Sequence, residues 1–142
     1  MSELSAVIVD DDPFDCELLD TTFGQLAFPV ATTFIDDGRA AYERLSSGEL
    51  RPDVVMVDLN LPGMLGTDLI SRLRENPATA TLHVVVLSSS ATSWDVRNAY
   101  QAGADAYHVK PFDVADMRDL LETIMRYWGR LVARRPPDGT ST

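Results

Sequence analysis

The chain has 142 residues, 45% hydrophobic and 24% charged, a balance that argues against disorder and suits one domain burying roughly two thirds of its unfolded surface. Its formal net charge of -10 disfavours nucleic acid and anionic membranes as partners, since both are bound through Lys and Arg set against phosphates. The lone Cys16 excludes an internal disulfide, and without zinc-ligand spacing, a signal-peptide core or an apolar run of about 18 residues the expected setting is the reducing cytoplasm.

Ala6-Val7-Ile8-Val9 is a short continuous apolar run, as expected of a parallel strand covered on both faces, and it stops at Asp10-Asp11-Asp12. Asp12 before Pro13 reads as the N-cap of a helix whose apolar face carries Phe14, Leu18, Leu19, Phe23 and Leu26. Val30 to Ile35 is a second strand, Asp36-Asp37-Gly38 a turn, and Ala40, Ala41 and Leu45 mark a short helix ended by Ser46-Ser47-Gly48. Val54 to Val57 makes the third strand. Past Asp58, the loop Leu59-Asn60-Leu61-Pro62-Gly63-Met64 leads to a helix with Leu65, Leu69, Ile70 and Leu73 at helical spacing, stopped near Asn76-Pro77.

His83 to Leu87 forms the fourth strand, and Ser88-Ser89-Ser90 precedes a helix over roughly Ala91 to Gln101 that Gly103 closes. Ser89 and Ser90 are placed to satisfy the first amides of that helix. Ala106 to Val109 is the fifth strand. Lys110-Pro111-Phe112-Asp113 opens a last helix, with Asp113 as N-cap and Met117, Leu120, Leu121, Ile124, Met125 and Trp128 on one face. His83 and His108 lack partners at ligand spacing and read as ordinary strand residues, while Trp94 and Tyr100 read as packing residues.

Strict alternation of strand and helix predicts an α/β fold with a doubly wound five-stranded parallel sheet, flavodoxin-like, in strand order 2-1-3-4-5. In that order the ligand crevice opens between the carboxyl ends of strands 1 and 3, which carry Asp10, Asp11 and Asp58. Crowded carboxylates raise one another's pKa unless a cation lies between them, and Mg²⁺ suits an all-oxygen site built from one or two carboxylates. Asp10 and Asp11 are therefore read as metal residues and Asp12 as a helix cap. Ser88 and Lys110, at neighbouring strand ends, are candidates to donate a hydrogen bond and to neutralise charge on a phosphoryl group carried by Asp58. Gly63 and Gly66 read as loop residues needing unusual backbone angles.

Four motifs, Val9-Asp10-Asp11-Asp12-Pro13, Val57-Asp58-Leu59-Asn60-Leu61-Pro62-Gly63, Leu87-Ser88-Ser89-Ser90 and Tyr107-His108-Val109-Lys110-Pro111-Phe112, occur in order and together resemble the receiver domain of two-component response regulators. The resemblance covers about residues 5 to 128 and implies that Asp58 accepts a phosphoryl group from a sensor histidine kinase or phosphotransfer protein. It implies Mg²⁺ held by Asp11, Asp58 and the Asn60 carbonyl with Asp10 acting through water, Ser88 and Lys110 on the phosphoryl oxygens, Ser88 and Tyr107 as the switch pair, and a cis Lys110-Pro111 bond. Residues 1 to 128 would form the receiver and 129 to 142 an extension with a polar tail. The expectation is a single-domain regulator, catalytic only toward its own phosphorylation and dephosphorylation, and similar to the small regulators that serve phytochrome-type kinases. A phosphoaspartate-type phosphohydrolase is the alternative, although it requires a general acid where Asn60 stands. A flavodoxin-like cofactor carrier is a weaker rival, since three acids would repel a flavin phosphate. The apolar stripe of the last helix, continued to Trp128, Leu131 and Val132, suggests a homodimer through helix 4, strand 5 and helix 5 with Tyr127 and Trp128 as anchors, unless Gly129 ends the helix.

Overall fold

The computed structural model describes residues 3–131. Five parallel strands, β1 (Leu4–Val9), β2 (Val30–Ile35), β3 (Val54–Val57), β4 (Val84–Ser88) and β5 (Ala106–Val109), lie in the order β2-β1-β3-β4-β5. They alternate with α1 (Pro13–Phe23), α2 (Gly38–Ser46), α3 (Gly66–Glu75), α4 (Ser93–Ala102) and α5 (Val114–Ile124), which continues as a π-helical segment, Met125–Leu131. The expected flavodoxin-like arrangement is observed. Among the described residues no helix is long and apolar enough to cross a membrane.

Why these runs are strands is visible in the two cores. Val7, Val9, Val55, Val57, Val84 and Val86 face Leu45, Leu69, Ile70, Leu73 and Ala99 of α2, α3 and α4. Their sequence neighbours Ala6, Ile8, Val54, Met56, Val85 and Leu87 face Leu19, Phe23, Met117, Leu121 and Ile124 of α1 and α5. Successive strand residues point to opposite faces, so a strand covered on both sides must be apolar throughout. The register sets β1 beside β3 from Ala6↔Val54 to Val9↔Val57, which brings Asp10 and Asp58 to one edge.

Helix starts follow their caps. Asp12 accepts from the Phe14 and Asp15 amides, Asp37 from Ala40, and Asp113 from Ala115. Gly103 ends α4 in the left-handed region at φ 118°, as expected of a C-cap. Thr92, rather than Ser89 or Ser90, caps α4 by accepting from the Asp95 amide, so this helix starts later than the sequence suggests. Gly63 also takes a positive φ, of 74°. Gly66 does not, and its need for glycine is steric: a Cβ there would strike the Asp58 carbonyl and lie 2.8 Å from Leu59 Cα.

Several apolar residues expected inside are outside. Phe14 is 76% exposed and Leu65, which precedes α3 instead of belonging to it, is 56% exposed; Trp94 and Tyr100 are exposed as well. Helical periodicity names the apolar side of a helix, but burial requires another element packed against it. The Lys110-Pro111 bond is trans, since no cis peptide occurs among the described residues, in keeping with the lower energy of the trans form.

The stripe of α5 as far as Trp128 packs into the fold. Met125 is buried, and Trp128 is half-buried against the same core, its ring 5.1 Å from that of His83. The helix does not end at Gly129, where an added Cβ would come 2.9 Å from Leu4 Cδ2. The amino-terminal edge of the sheet therefore partly covers Trp128, one of the two anchors expected for a dimer, against the core that includes Leu4 of β1, while Tyr127 stays 50% exposed. Val132 and the polar tail lie outside the described residues.

Candidate functional site

Lys110 organises the carboxyl edge of the sheet. Its amide donates to Ser88 O at 2.8 Å, continuing the β4 and β5 ladder, and its Nζ donates to Asp10 Oδ2 at 3.0 Å, Asp15 Oδ2 at 2.8 Å and Asp58 Oδ2 at 2.8 Å. An ammonium has three N–H donors, and each meets a carboxylate from a different element: the end of β1, the first turn of α1 and the end of β3. Burial alone would depress the Lys110 pKa, but these three bonds outweigh it and hold the ammonium well above the usual lysine range.

Asp10 is 2% exposed. Burial pushes its carboxyl upward, against the opposing pull of the Asp12 amide on Oδ1 and of Lys110 on Oδ2. Asp58 is oriented from both sides, with Oδ1 accepting from the Asn60 amide at 3.0 Å and Oδ2 from Lys110. Its own amide donates to Val9 O, so the backbone of Asp58 is tied to β1. The tight approach of Gly66, whose amide donates to Leu59 O at 2.9 Å, fixes the backbone just beyond it.

The β4–α4 loop joins two further residues. Ser88 is fully buried, and its Oγ accepts from the Ser90 amide at 3.1 Å. Tyr107, half-buried against the core, donates its hydroxyl to Ser90 O at 2.8 Å. Ser90 is thus bonded on one side to Ser88 and on the other to Tyr107, while its own hydroxyl donates to Asp95 of α4 at 2.5 Å.

Asp10, Asp15 and Asp58 each offer an oxygen within 4.8 Å of one another, an arrangement that can hold a metal ion. An all-carboxylate set suits a hard divalent cation. Of the residues expected from the sequence, Asp10, Asp58, Ser88 and Lys110 gather at this edge. Asp11 is exposed and stands outside the converging group, and Asn60 is exposed beside Asp58. Asp15 was not singled out from sequence. The available signal was its place in the first turn directly after an acid-bearing strand end, at a helix amino terminus that favours carboxylates. Cys16, next along α1, donates from Sγ to Asp10 O at 3.3 Å, and burial together with the Asp10 charge pushes its thiol up to about 11. His108 is lowered by burial on β5.

The 2-1-3-4-5 sheet, with acids at its switch point and a lysine locked among them, defines a doubly wound α/β protein whose crevice can hold a divalent cation. Residues 6–122 match the family described as the response regulator receiver domain, and the chain belongs to that family. It is 32% identical over 121 residues to the chemotaxis protein CheY-3 of Vibrio cholerae, covering 85% of this chain and 91% of that one. It spans between 40% and 52% of the length of several other curated relatives. Among solved structures, the phosphorylated cyanobacterial phytochrome response regulator RcpA superposes with a TM-score of 0.85 at 22% identity, covering 95% of this chain and all of that one. The Mn²⁺-bound form of the response regulator Rcp1 superposes with a TM-score of 0.80 at 24% identity, covering 94% and 99%. At these identities the structural likeness speaks to the fold.

Proposed function

We propose that this protein is a phosphoacceptor of a two-component phosphorelay, taking a phosphoryl group from a histidine kinase or phosphotransfer protein onto Asp58. The observation that carries the reading is Lys110 Nζ bonded to both Asp58 and Asp10 in the crevice. An Asp58 carboxylate oxygen attacks phosphorus, the P–N bond of the phosphohistidine breaks, and its electron pair stays on the imidazole. Asn60 N and Lys110 hold the two Asp58 oxygens, which orients the attacking lone pair before the donor arrives. Ser88, whose Oγ accepts from Ser90, donates its O–H to a phosphoryl oxygen, and Lys110 balances the added charge.

Mg²⁺ is the cation proposed for the carboxylates; Asp10, Asp11, Asp58 and the Asn60 carbonyl would hold it, and when bound it would neutralise oxygens of the transferring group. Mn²⁺ in Rcp1 supports a divalent ion at such a site. Drawing Ser88 toward a phosphoryl group pulls on Ser90, and through Ser90 on Tyr107 and α4, biasing a two-state equilibrium. Output is protein binding by α4, β5 and α5, which leave Trp94, Tyr100, Val109 and Val114 exposed; a second copy is the partner proposed, read by sedimentation with and without phosphorylation.

Acetyl phosphate with Mg²⁺ adds one phosphoryl group by intact-mass spectrometry, and Asp58→Asn abolishes the adduct. An undiminished adduct in that variant refutes the assignment.

A further inference from the structure

We propose that Asp15 is a positioning residue for phosphoryl acceptance: its carboxylate anchors Lys110 through the step in which Asp58 gives up its own hold on that lysine. The inference rests on the acceptor role of Asp58. Lys110 is held by three carboxylates, and two of them change during the reaction. Asp58 loses its negative charge on becoming an acyl phosphate, and its carbonyl oxygen is then a weaker acceptor than a carboxylate. Asp10 is the buried acid at the core of the proposed cation site, so a bound cation competes with Lys110 for it. Asp15 belongs to the same acidic cluster but to none of the positions proposed for the cation, and its carboxylate keeps a full charge toward Lys110 throughout.

Position supports the same role. Asp12 caps α1 and Pro13 opens it, which sets Asp15 in the first turn, where its amide also donates to Asp12 Oδ1. From there its carboxylate reaches Lys110 Nζ at 2.8 Å across 95 residues of sequence. Lys110 otherwise depends on a flexible four-carbon stem that follows the end of β5. A lysine freed from Asp58 with no fixed acceptor would swing to solvent. One held by Asp15 keeps its two remaining N–H groups over the crevice for phosphoryl oxygens. The Asp15 side chain is 32% exposed against 10% for Lys110, so the lysine end of the bond is the more shielded.

The test compares wild type, Asp15→Asn and Asp15→Ala, with Asp12→Asn as a first-turn control, in two readouts. The rate of acyl phosphate formation from acetyl phosphate, at saturating Mg²⁺, should fall about tenfold in Asp15→Ala and about threefold in Asp15→Asn, which retains a neutral acceptor of the same shape. The proton exchange rate of the Lys110 ammonium, followed by ¹⁵N NMR without phosphoryl donor, should rise by about tenfold in Asp15→Ala and less in Asp15→Asn. A merely structural role would not move that lysine signal. If Asp15→Ala fails to fold, the isosteric Asp15→Asn carries both readouts. Wild-type rates in both variants at saturating Mg²⁺ would overturn the proposal, as would a rate loss accompanied by an unchanged Lys110 signal. A wild type that forms no adduct on Asp58 would instead overturn the acceptor reading on which this one rests.

Discussion

Replacing Lys110 with Met keeps the stem and removes the charge that three carboxylates share. Breaking a buried ion pair by deleting one partner costs about 3–5 kcal/mol, because the remaining charge is left uncompensated. Asp15 is partly in water, so the lower end, about 3 kcal/mol, is expected in EDTA. At roughly 2–4 °C per kcal/mol for a chain near this size, Tm falls by about 6–12 °C. The deficit depends on pH through the acids. The Lys110 pKa is raised, so its own contribution is fully present below the ordinary lysine value and is lost only as pH rises through the higher folded value. It is therefore constant between pH 5 and 8. Asp10, raised by burial even with its lysine in place, is raised further without it. Such an acid is least costly when protonated, and its penalty grows as pH rises through the folded value, so the deficit of Lys110→Met is larger at pH 8 than at pH 5. Mg²⁺ narrows it, since a cation held at 100 times its Kd stabilises by about 2.7 kcal/mol and no longer competes with an ammonium. Differential scanning calorimetry of both proteins at the two pH values, with EDTA or Mg²⁺, is the assay. A variant within 2 °C of wild type in EDTA at pH 8, or a deficit indifferent to Mg²⁺, would refute the electrostatic account.

Three further outcomes follow from the same geometry. Asp10→Asn should raise Tm in EDTA at pH 7, where the buried charge is unfavourable, and should abolish the added stabilisation by Mg²⁺; a lower Tm in EDTA would contradict the burial-driven shift. Gly66→Ala forces a Cβ onto the Asp58 carbonyl and should cost about 1–3 kcal/mol while sharply reducing the acetyl phosphate adduct, as read by calorimetry and intact mass. Cys16, with its thiol pushed up to about 11, should react with a thiol-specific disulfide reagent about tenfold faster for each pH unit between 7 and 10 and at once in denaturant; a reaction at pH 8 as fast in the folded protein as in the unfolded one would show the thiol to be unperturbed.

Continuous apolar runs announced β1, β3 and β4, because strands covered on both faces admit no polar alternation. Asp12 and Asp113 announced their helices, since an N-cap is a local bond between a side chain and an amide two or three residues on. Asp10, Asp58, Ser88 and Lys110 were legible as candidate site residues because each ends a strand, and the sheet order brings those ends together. Tertiary structure alone decided the rest. Asp15 joins Asp58 and Lys110 only because α1 packs beside α5 and presents its first turn to the end of β5, a contact between residues 95 apart in sequence. Trp128 continues a helical stripe that reads as surplus apolar area, yet the start of β1 and His83 are there to cover it. Phe14 and Leu65 keep the spacing of buried residues and are exposed, since periodicity states which side of a helix is apolar and leaves open whether anything is packed against it.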